Sequence, residues 1–416
     1  MTSRQDIRVL VTGVGAVTPV GDDAQSSWEA LLAGTSGVTR LDDRFEWMEP
    51  LPVKIGAMVP TEPGDRLDRV EARNMDRSVR LALLAFREAW ADAGKPDCAK
   101  ERLATVIGTG IGGITTLLDQ YDIFKEKGAR RVSPFTIPMM MPNSPAATIA
   151  LEVGAGAGTR TPVSACGSGS EAIAMALELL RTGRIDVIVA GSTESIFHPL
   201  PMVGFSNMRA LSTRNDEPER ASRPWDTDRD GFVLAEGAGI VILETEEHAK
   251  ARGAKVYAEL AGGGITSDGY HITAPDPSGT GAAAAMTLAM ADAGLRPEDI
   301  DYINAHGTST PVGDVAEIDA IKLAFGTHAR SFPISSTKSM TGHSLGAAGA
   351  IEAVVVAQSI RDSKIHPTIN RDKPDEACDL DVVPEGQRDL SIRAALSNSF
   401  GFGGHNITLA FRRYDG

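Results

Sequence analysis

Apolar positions along the chain fall into two kinds of run. Short unbroken ones, DVIVAGS from Asp186 and AGIVILE from Ala238, are bounded by turn residues and read as strands buried on both faces. Longer ones, SGSEAIAMALELL from Ser168 and SLGAAGAIEAVVVA from Ser344, are rich in Ala and Gly and read as helices whose backbones can approach a neighbour closely. Strands alternating with helices predict an α/β chain with its sheets covered on both faces.

Two stretches of this pattern occur twice. WADAGKPDCAKERLATVIGTG, from Trp90, resembles MADAGLRPEDIDYINAHGTST, from Met290: a helix ending at Gly, a loop, a strand and a Gly-containing turn. TPVSACGSGSEAIAMALELL, from Thr161, and FPISSTKSMTGHSLGAAGAIEAVVVAQSI, from Phe332, share a second plan of strand, small-residue loop and apolar helix. The order agrees, so the chain reads as two copies of one α/β unit, residues 1–255 and 256–416. Segments 111–160 and 195–235 have no apparent counterpart and are expected to be insertions that build interfaces and pockets. Two such helices meeting at a duplicated core would bring Cys166 and His343 into one neighbourhood.

Composition narrows the partners. With 416 residues, 42% of them hydrophobic, the chain has ample core, and a net charge of −14 argues against nucleic acid or an anionic membrane surface as the main partner. Three cysteines, Cys98, Cys166 and Cys378, lack metal-like or disulfide-like spacing and suit a reducing, cytoplasmic setting. MTSRQDIRVLVTGVGAV has too short an apolar run for a secretory signal, and no stretch of about 18 uncharged apolar residues predicts a membrane span.

Cys166 lies at a strand-to-helix turn in TPVSACGSGSEA, where helix-start amides are expected to favour thiolate and lower its pKa from the usual value of about 8.5. His306 follows a strand in DYINAHGTSTPVGD, and His343 stands five residues after Lys338 in SSTKSMTGHSLGAAG. A thiolate and two imidazoles suit acyl transfer followed by a step that builds negative charge on an enolate-like oxygen. Cys98 and Cys378 lack such a setting and read as structural.

Five blocks, SACGSGSEA, RPWDTDRDGFVLAEGAG, NAHGTSTPVGD, KSMTGHSLGAAGAIEA and NSFGFGGHN, resemble in sequence and order the signature blocks of the β-ketoacyl-acyl carrier protein synthases, of the elongating synthase II kind. The resemblance spans essentially the whole chain. It implies a thiolase-like fold, a five-layered α/β/α/β/α sandwich, and a homodimer with the acyl pocket near its interface. By position, Cys166 matches the acyl-accepting nucleophile, and the amides of Cys166 and Phe402 match the oxyanion hole. His306 and His343 match the pair that promotes decarboxylation of a malonyl thioester, and Lys338 matches the lysine that anchors them. Thr273, Thr308 and Thr310 resemble the hydroxyls that bind pantetheine, Phe400 and Phe402 the mobile gate, and Ile111 the border of the acyl pocket. The implied reaction condenses a Cys-bound acyl chain with malonyl-acyl carrier protein, releasing CO₂. No metal or redox cofactor is implied, since phosphopantetheine arrives on the carrier protein. The last block reads GFGGHN where GFGGTN is common, and His405 leaves fatty acid and polyketide pathways both open.

Other signals are set aside. GVGAVT lacks the third glycine of a dinucleotide fingerprint. Asp226, Asp228, Asp230 and Gly231 mimic the start of a calcium loop, but Gly237 stands at its twelfth position, so these aspartates read as turn formers. Asp314 and Glu317 are expected to fix local geometry. A basic set, Arg73, Lys125, Lys127, Arg130, Arg131 and Arg209, is the expected docking patch for the acidic carrier. Met139 to Met141 fit an acyl pocket, a dimer seam or core equally. The nucleophile speaks against a silent chain-length partner subunit, and two histidines with a lysine favour condensation over thioester hydrolysis. A thiolase would need a second catalytic cysteine, and a synthase III would carry Asn in place of His343.

Overall fold

The computed structural model describes residues 7–416, and its centre is a ten-stranded sheet built from two equal halves. The first half comprises β1 (Val9–Val17), β2 (Leu103–Gly108), β3 (Thr159–Arg160), β4 (Val187–Glu194) and β5 (Gly237–Thr245). The second comprises β6 (Ala258–Ser267), β7 (Tyr302–Asn304), β8 (Ile334–Ser335), β9 (Ala394–Gly401) and β10 (His405–Arg412). Their spatial order, β8-β7-β9-β10-β6-β1-β5-β4-β2-β3, reads alike from either end once β1 is exchanged for β6, β2 for β7, and so on. Directions agree as well: β1/β5 and β5/β4 are antiparallel like β6/β10 and β10/β9, while β4/β2 and β2/β3 are parallel like β9/β7 and β7/β8. Where the two halves of the sheet join, β1 pairs with β6 through Leu10 with Glu259 and Val11 with Ala258. The first six residues of the segment read as lacking a signal lie outside the described residues.

The seven longest helices among the described residues are α1 (Arg77–Asp92), α2 (Ile114–Lys127), α3 (Ser144–Val153), α4 (Ser168–Leu180), α5 (Thr280–Asp292), α6 (Gly313–Phe325) and α7 (Ala348–Asp362). Helices α1 and α3 cover one outer face, α5 and α6 the other, and α4 and α7 fill the space between the sheets, which gives the expected five layers. Small residues set the spacing. A Cβ on Gly13 or Gly15 of β1 would lie 2.4 or 2.1 Å from a carbonyl oxygen of α1, and on Gly262 or Gly264 of β6, 2.5 or 2.0 Å from one of α5. Between the sheets, every residue of α7 from Ala348 to Ile360 is buried. A Cβ on Gly169 of α4 would lie 2.6 Å from the Ala350 amide nitrogen, so a larger residue must push the two helices apart, at a typical cost of about 1–3 kcal/mol.

The first insertion is shorter than the sequence indicated. Helix α3 lies within 111–160, yet it packs on α1 as α6 packs on α5, so it belongs to the duplicated plan. Its buried positions, Pro145, Ala146, Ile149 and Ala150, form one helical stripe that packs inward. The unmatched part is α2 with the short helix Thr136–Met140.

Candidate active site

Cys166 is held at its turn by backbone strain and hydroxyl bonding. Ala165 takes a left-handed φ of 48°, unusual for a residue with a Cβ, and opens the 3-10 turn Ala165–Gly167 that runs into α4. The Ser164 amide donates to Ser168 Oγ at 2.9 Å, and that hydroxyl donates to the Ala165 carbonyl at 2.7 Å. His343 is fixed through its backbone, its amide donating to the Val233 carbonyl at 2.7 Å while its own carbonyl accepts from Ala235 at 3.0 Å. His306 owes its position to Glu317, whose carboxylate accepts from the amides of His306 and Gly307, each at 2.8 Å. Asp314 does the same for the next turn, accepting from Ser309 and Trp225 amides, both at 3.0 Å. These two acids hold geometry, as their spacing indicated.

All three reactive side chains line one cavity of about 580 Å³. The imidazole rings of His306 and His343 stand edge to face, centroids 5.3 Å apart, with Phe400 5.8 Å from the first and Phe232 5.3 Å from the second. Ile111, Phe400 and Phe402 border the same cavity, as do Thr273, Thr308 and Thr310. The last two hydroxyls lie 3.1 Å apart. Arg229 braces their loop, donating to the Thr310 carbonyl at 3.0 Å and the Pro311 carbonyl at 2.8 Å. The aspartates around it serve separate partners: Asp226 binds Arg223, Asp228 binds Lys373, and Asp230 accepts from Thr213.

Electrostatics departs from expectation at Cys166. Burial pushes its thiol up to about 11; the Lys338 charge and the Phe402 amide pull the other way and do not overcome it. Desolvation thus outweighs what the helix start supplies and favours the thiol form of Cys166. Burial, and then the positive charge of Lys338, hold both His306 and His343 well below the usual imidazole range, so both rings are neutral. Lys338 itself is buried in an ion pair with Glu352 of α7. Glu352 and Glu317 went unremarked as partners of the catalytic trio or were read as merely local. An acidic residue inside the apolar run AIEAVVVA was the available signal for Glu352. Asn304 Oδ1, Glu352 Oε2 and Ser397 Oγ are among the buried side-chain atoms without a hydrogen-bond partner among the described residues, as are His306 Nδ1 and His343 Nδ1.

Of the basic set, Arg209 lines the cavity. Arg73, Lys125, Lys127, Arg130 and Arg131 are exposed and absent from its lining, and Lys125 is engaged with Asp122 at 2.7 Å. Met139 lines a second, smaller cavity, and none of Met139 to Met141 borders the first. Burial pushes Cys98 and Cys378 up to about 11 and about 12, and neither borders the cavity that holds Cys166.

Comparison with known proteins agrees with this geometry. Residues 6–249 match the family model "Beta-ketoacyl synthase, N-terminal domain", and residues 257–372 match "Beta-ketoacyl synthase, C-terminal domain". A 3-oxoacyl-[acyl-carrier-protein] synthase 2 from Synechocystis is 48% identical over 416 residues, all of both chains. One of the same name from Staphylococcus aureus is 46% identical over 417 residues, 99% of each. Among solved structures, a beta-ketoacyl synthase from Burkholderia phymatum superposes with a TM-score of 0.89 at 39% identity, covering 98% of this chain and 100% of the other. A type II polyketide ketosynthase, in complex with its acyl-carrier protein and bound to a hexaketide, gives 0.91 at 34%, with the same coverage.

Proposed function

The chain belongs to the beta-ketoacyl synthase family, and from that premise we infer what each of its residues contributes to the family's chemistry. The enzyme is a 3-oxoacyl-acyl carrier protein synthase of the second, elongating kind: it condenses an acyl chain with malonyl-acyl carrier protein and releases CO₂. The observation that carries the assignment of roles is the meeting of Cys166, His306 and His343 in one cavity.

In the first half-reaction the Cys166 sulfur attacks the carbonyl of a carrier-bound thioester, and the carrier thiol leaves. The oxyanion is received by the amides of Cys166 and Phe402, and a neutral imidazole beside the sulfur takes the thiol proton and returns it to the leaving group. In the second, malonyl-carrier protein places its thioester carbonyl against His306 and His343. Their N–H groups stabilise the oxygen as the bond to CO₂ breaks, and the resulting enolate carbon attacks the Cys166 thioester. The sulfur leaves as thiolate and is protonated by a proton drawn from solvent, the one the overall reaction consumes. Thr273, Thr308 and Thr310 hold the pantetheine arm, Phe400 and Phe402 gate the nucleophile, and Ile111 borders the acyl chain. The phosphopantetheine of the carrier is the one prosthetic group this scheme requires.

Carrier docking is assigned to the face around Arg209, with the more distant basic residues as support. A homodimer is supported by an exposed apolar face on and after α2, including Leu117, Tyr121, Phe124, Phe135 and Ile137. A cytoplasmic location is supported by three free cysteines, one of them the nucleophile. No helix among the described residues is long and apolar enough to cross a membrane.

A second reading, a ketosynthase of a type II polyketide pathway, is favoured by the close superposition on such an enzyme and by His405. Product profiling with acyl-carrier substrates of graded length separates the two. Preference for medium to long saturated chains, with one CO₂ per condensation, supports elongation; use of poly-keto chains supports the alternative; free acid without CO₂ overturns both.

A further inference from the structure

The two halves of the fold present two equivalent helix starts, and they are used differently. Ala165 and Leu345 share a φ of 48°. Each opens a 3-10 turn, Ala165–Gly167 and Leu345–Ala347, that runs into α4 and α7 respectively. Residue for residue, Cys166 corresponds to Gly346. The strands that end beside them are also equivalent, and β9 ends at Gly401 where β4 ends at Glu194.

At the first start, glycine keeps the amides clear. A Cβ on Gly401 would lie 3.1 Å from the Cys166 nitrogen and 3.2 Å from that of Gly167. At the second, a carboxylate fills the same place. Glu194 Oε2 accepts from the Gly110 amide at 2.6 Å and from the Gly346 amide at 3.3 Å, while Oε1 accepts from Thr109 Oγ1 at 3.0 Å. The Ile111 amide also points at it. The packing there leaves no slack: a Cβ on Gly346 would lie 2.2 Å from the Gly110 nitrogen, and one on Gly110 2.6 Å from Glu194 Oε2. Glu194 is wholly buried and has no cationic partner among the described residues. Its donors come from both halves, and two of them, Gly110 and Ile111, belong to the cavity wall facing Cys166.

We propose that Glu194 is a positioning residue for chain-length selection: its carboxylate closes the vacant twin of the oxyanion hole and, by tying Gly110 and Ile111 to Gly346, fixes the acyl wall relative to the nucleophile. The inference rests on the condensing-enzyme reading above. What it adds is a division of labour between equivalent positions, with an open glycine end where the substrate oxygen must enter and an internal anion where nothing should. Burial pushes Glu194 up to about 7. The amides of Gly110 and Gly346 require Oε2 as an acceptor in either charge state, so a proton taken up resides on Oε1, beside Thr109 Oγ1.

Two activities separate this from a general packing role: transfer of acyl groups of graded length from the carrier to Cys166, and release of CO₂ from malonyl-carrier protein. Glu194→Gln removes the charge and leaves one acceptor oxygen, so the amides of Gly110 and Gly346 and the Thr109 hydroxyl can no longer all donate to the side chain. It should lower kcat/KM for long acyl chains about tenfold relative to short ones, through a misplaced wall, and leave CO₂ release within about threefold of the parent. Thr109→Val removes only a hydroxyl and should shift the length ratio in the same direction by a smaller factor; if Glu194→Gln does not fold, this variant decides the matter by the same ratio. Loss shared equally by all chain lengths, or an unchanged profile, overturns the proposal. A parent enzyme that releases no CO₂ and forms no 3-oxoacyl product overturns the functional reading instead.

Discussion

The Lys338 ammonium is buried in an ion pair with the Glu352 carboxylate, and its charge disfavours protonation of both His306 and His343. The lysine thus adds to burial in keeping neutral the two rings proposed above as hydrogen-bond donors. It is itself tolerated in the core only because of an acid on the neighbouring helix.

Lys338→Met should destabilise the fold by about 3–5 kcal/mol, the usual effect of stranding one member of a buried pair, less whatever Glu352 recovers by taking up a proton. That acid already sits at about 7 because of its burial. Adding Glu352→Gln should restore most of the melting temperature without restoring CO₂ release. Recovery of both together would show that the pair serves stability alone.

Decarboxylation should be insensitive to pH between about 8 and about 6, where an ordinary imidazole with a pKa of about 6.5 titrates. Both histidines are depressed by burial first and Lys338 second, so they stay neutral in the folded enzyme. The unfolded chain takes up protons on them as pH falls through about 6.5, so the stability they contribute is complete above that value and declines below it. An inflection near 6.5 in CO₂ release, measured with malonyl-carrier protein, would contradict the assignment. Removing either ring, as in His343→Ala, should slow that step by about 10²–10³.

Alkylation of Cys166 by iodoacetamide should keep accelerating with pH well past about 8.5, toward the value of about 11 that burial imposes. Lys338→Met should push the midpoint higher still, since it removes the main charge that favours thiolate. A plateau at or below 8.5 would mean that the helix start prevails after all.

Arg209→Glu should raise the KM for acyl-carrier protein about tenfold, with an effect that shrinks as salt is added, and leave turnover of a small pantetheine-type thioester nearly unchanged. Lys125→Glu should do little, because that charge is already shared with Asp122. Steady-state kinetics with both substrates tests the pair of expectations.

Much of this was readable from the residues. The duplication showed because the paired stretches keep the same order of strand, turn and small-residue helix, and the fold repeats that order strand for strand. Cys166 and His306 stood out because each follows a strand at a turn, and His343 because it stands five residues after Lys338 in the second copy of the same plan; the structure places a helical turn, Lys338–Thr341, just before it. What the sequence could not disclose depends on depth and distance. The thiol of Cys166 is governed by desolvation, a three-dimensional quantity that a helix-start argument leaves out. Glu194 and Glu352 are far in sequence from the groups they serve, Thr109 and Gly110 in one case and Lys338 in the other, so no local spacing announces them. The basic residues near α2 looked like a patch because they are adjacent in sequence, whereas only Arg209, some eighty residues on, reaches the cavity.

Helix α7 is sealed along its length between the two sheets, so its amides should be among the last in the molecule to exchange with solvent, and the His343 segment that leads into it cannot swing without parting both halves. Differences in guest must then be met elsewhere in the cavity lining, at Gly110 and Ile111 on one side and at Gly401 and Phe402 on the other. The acyl repertoire can be altered there without disturbing the buried helix or the histidine that precedes it.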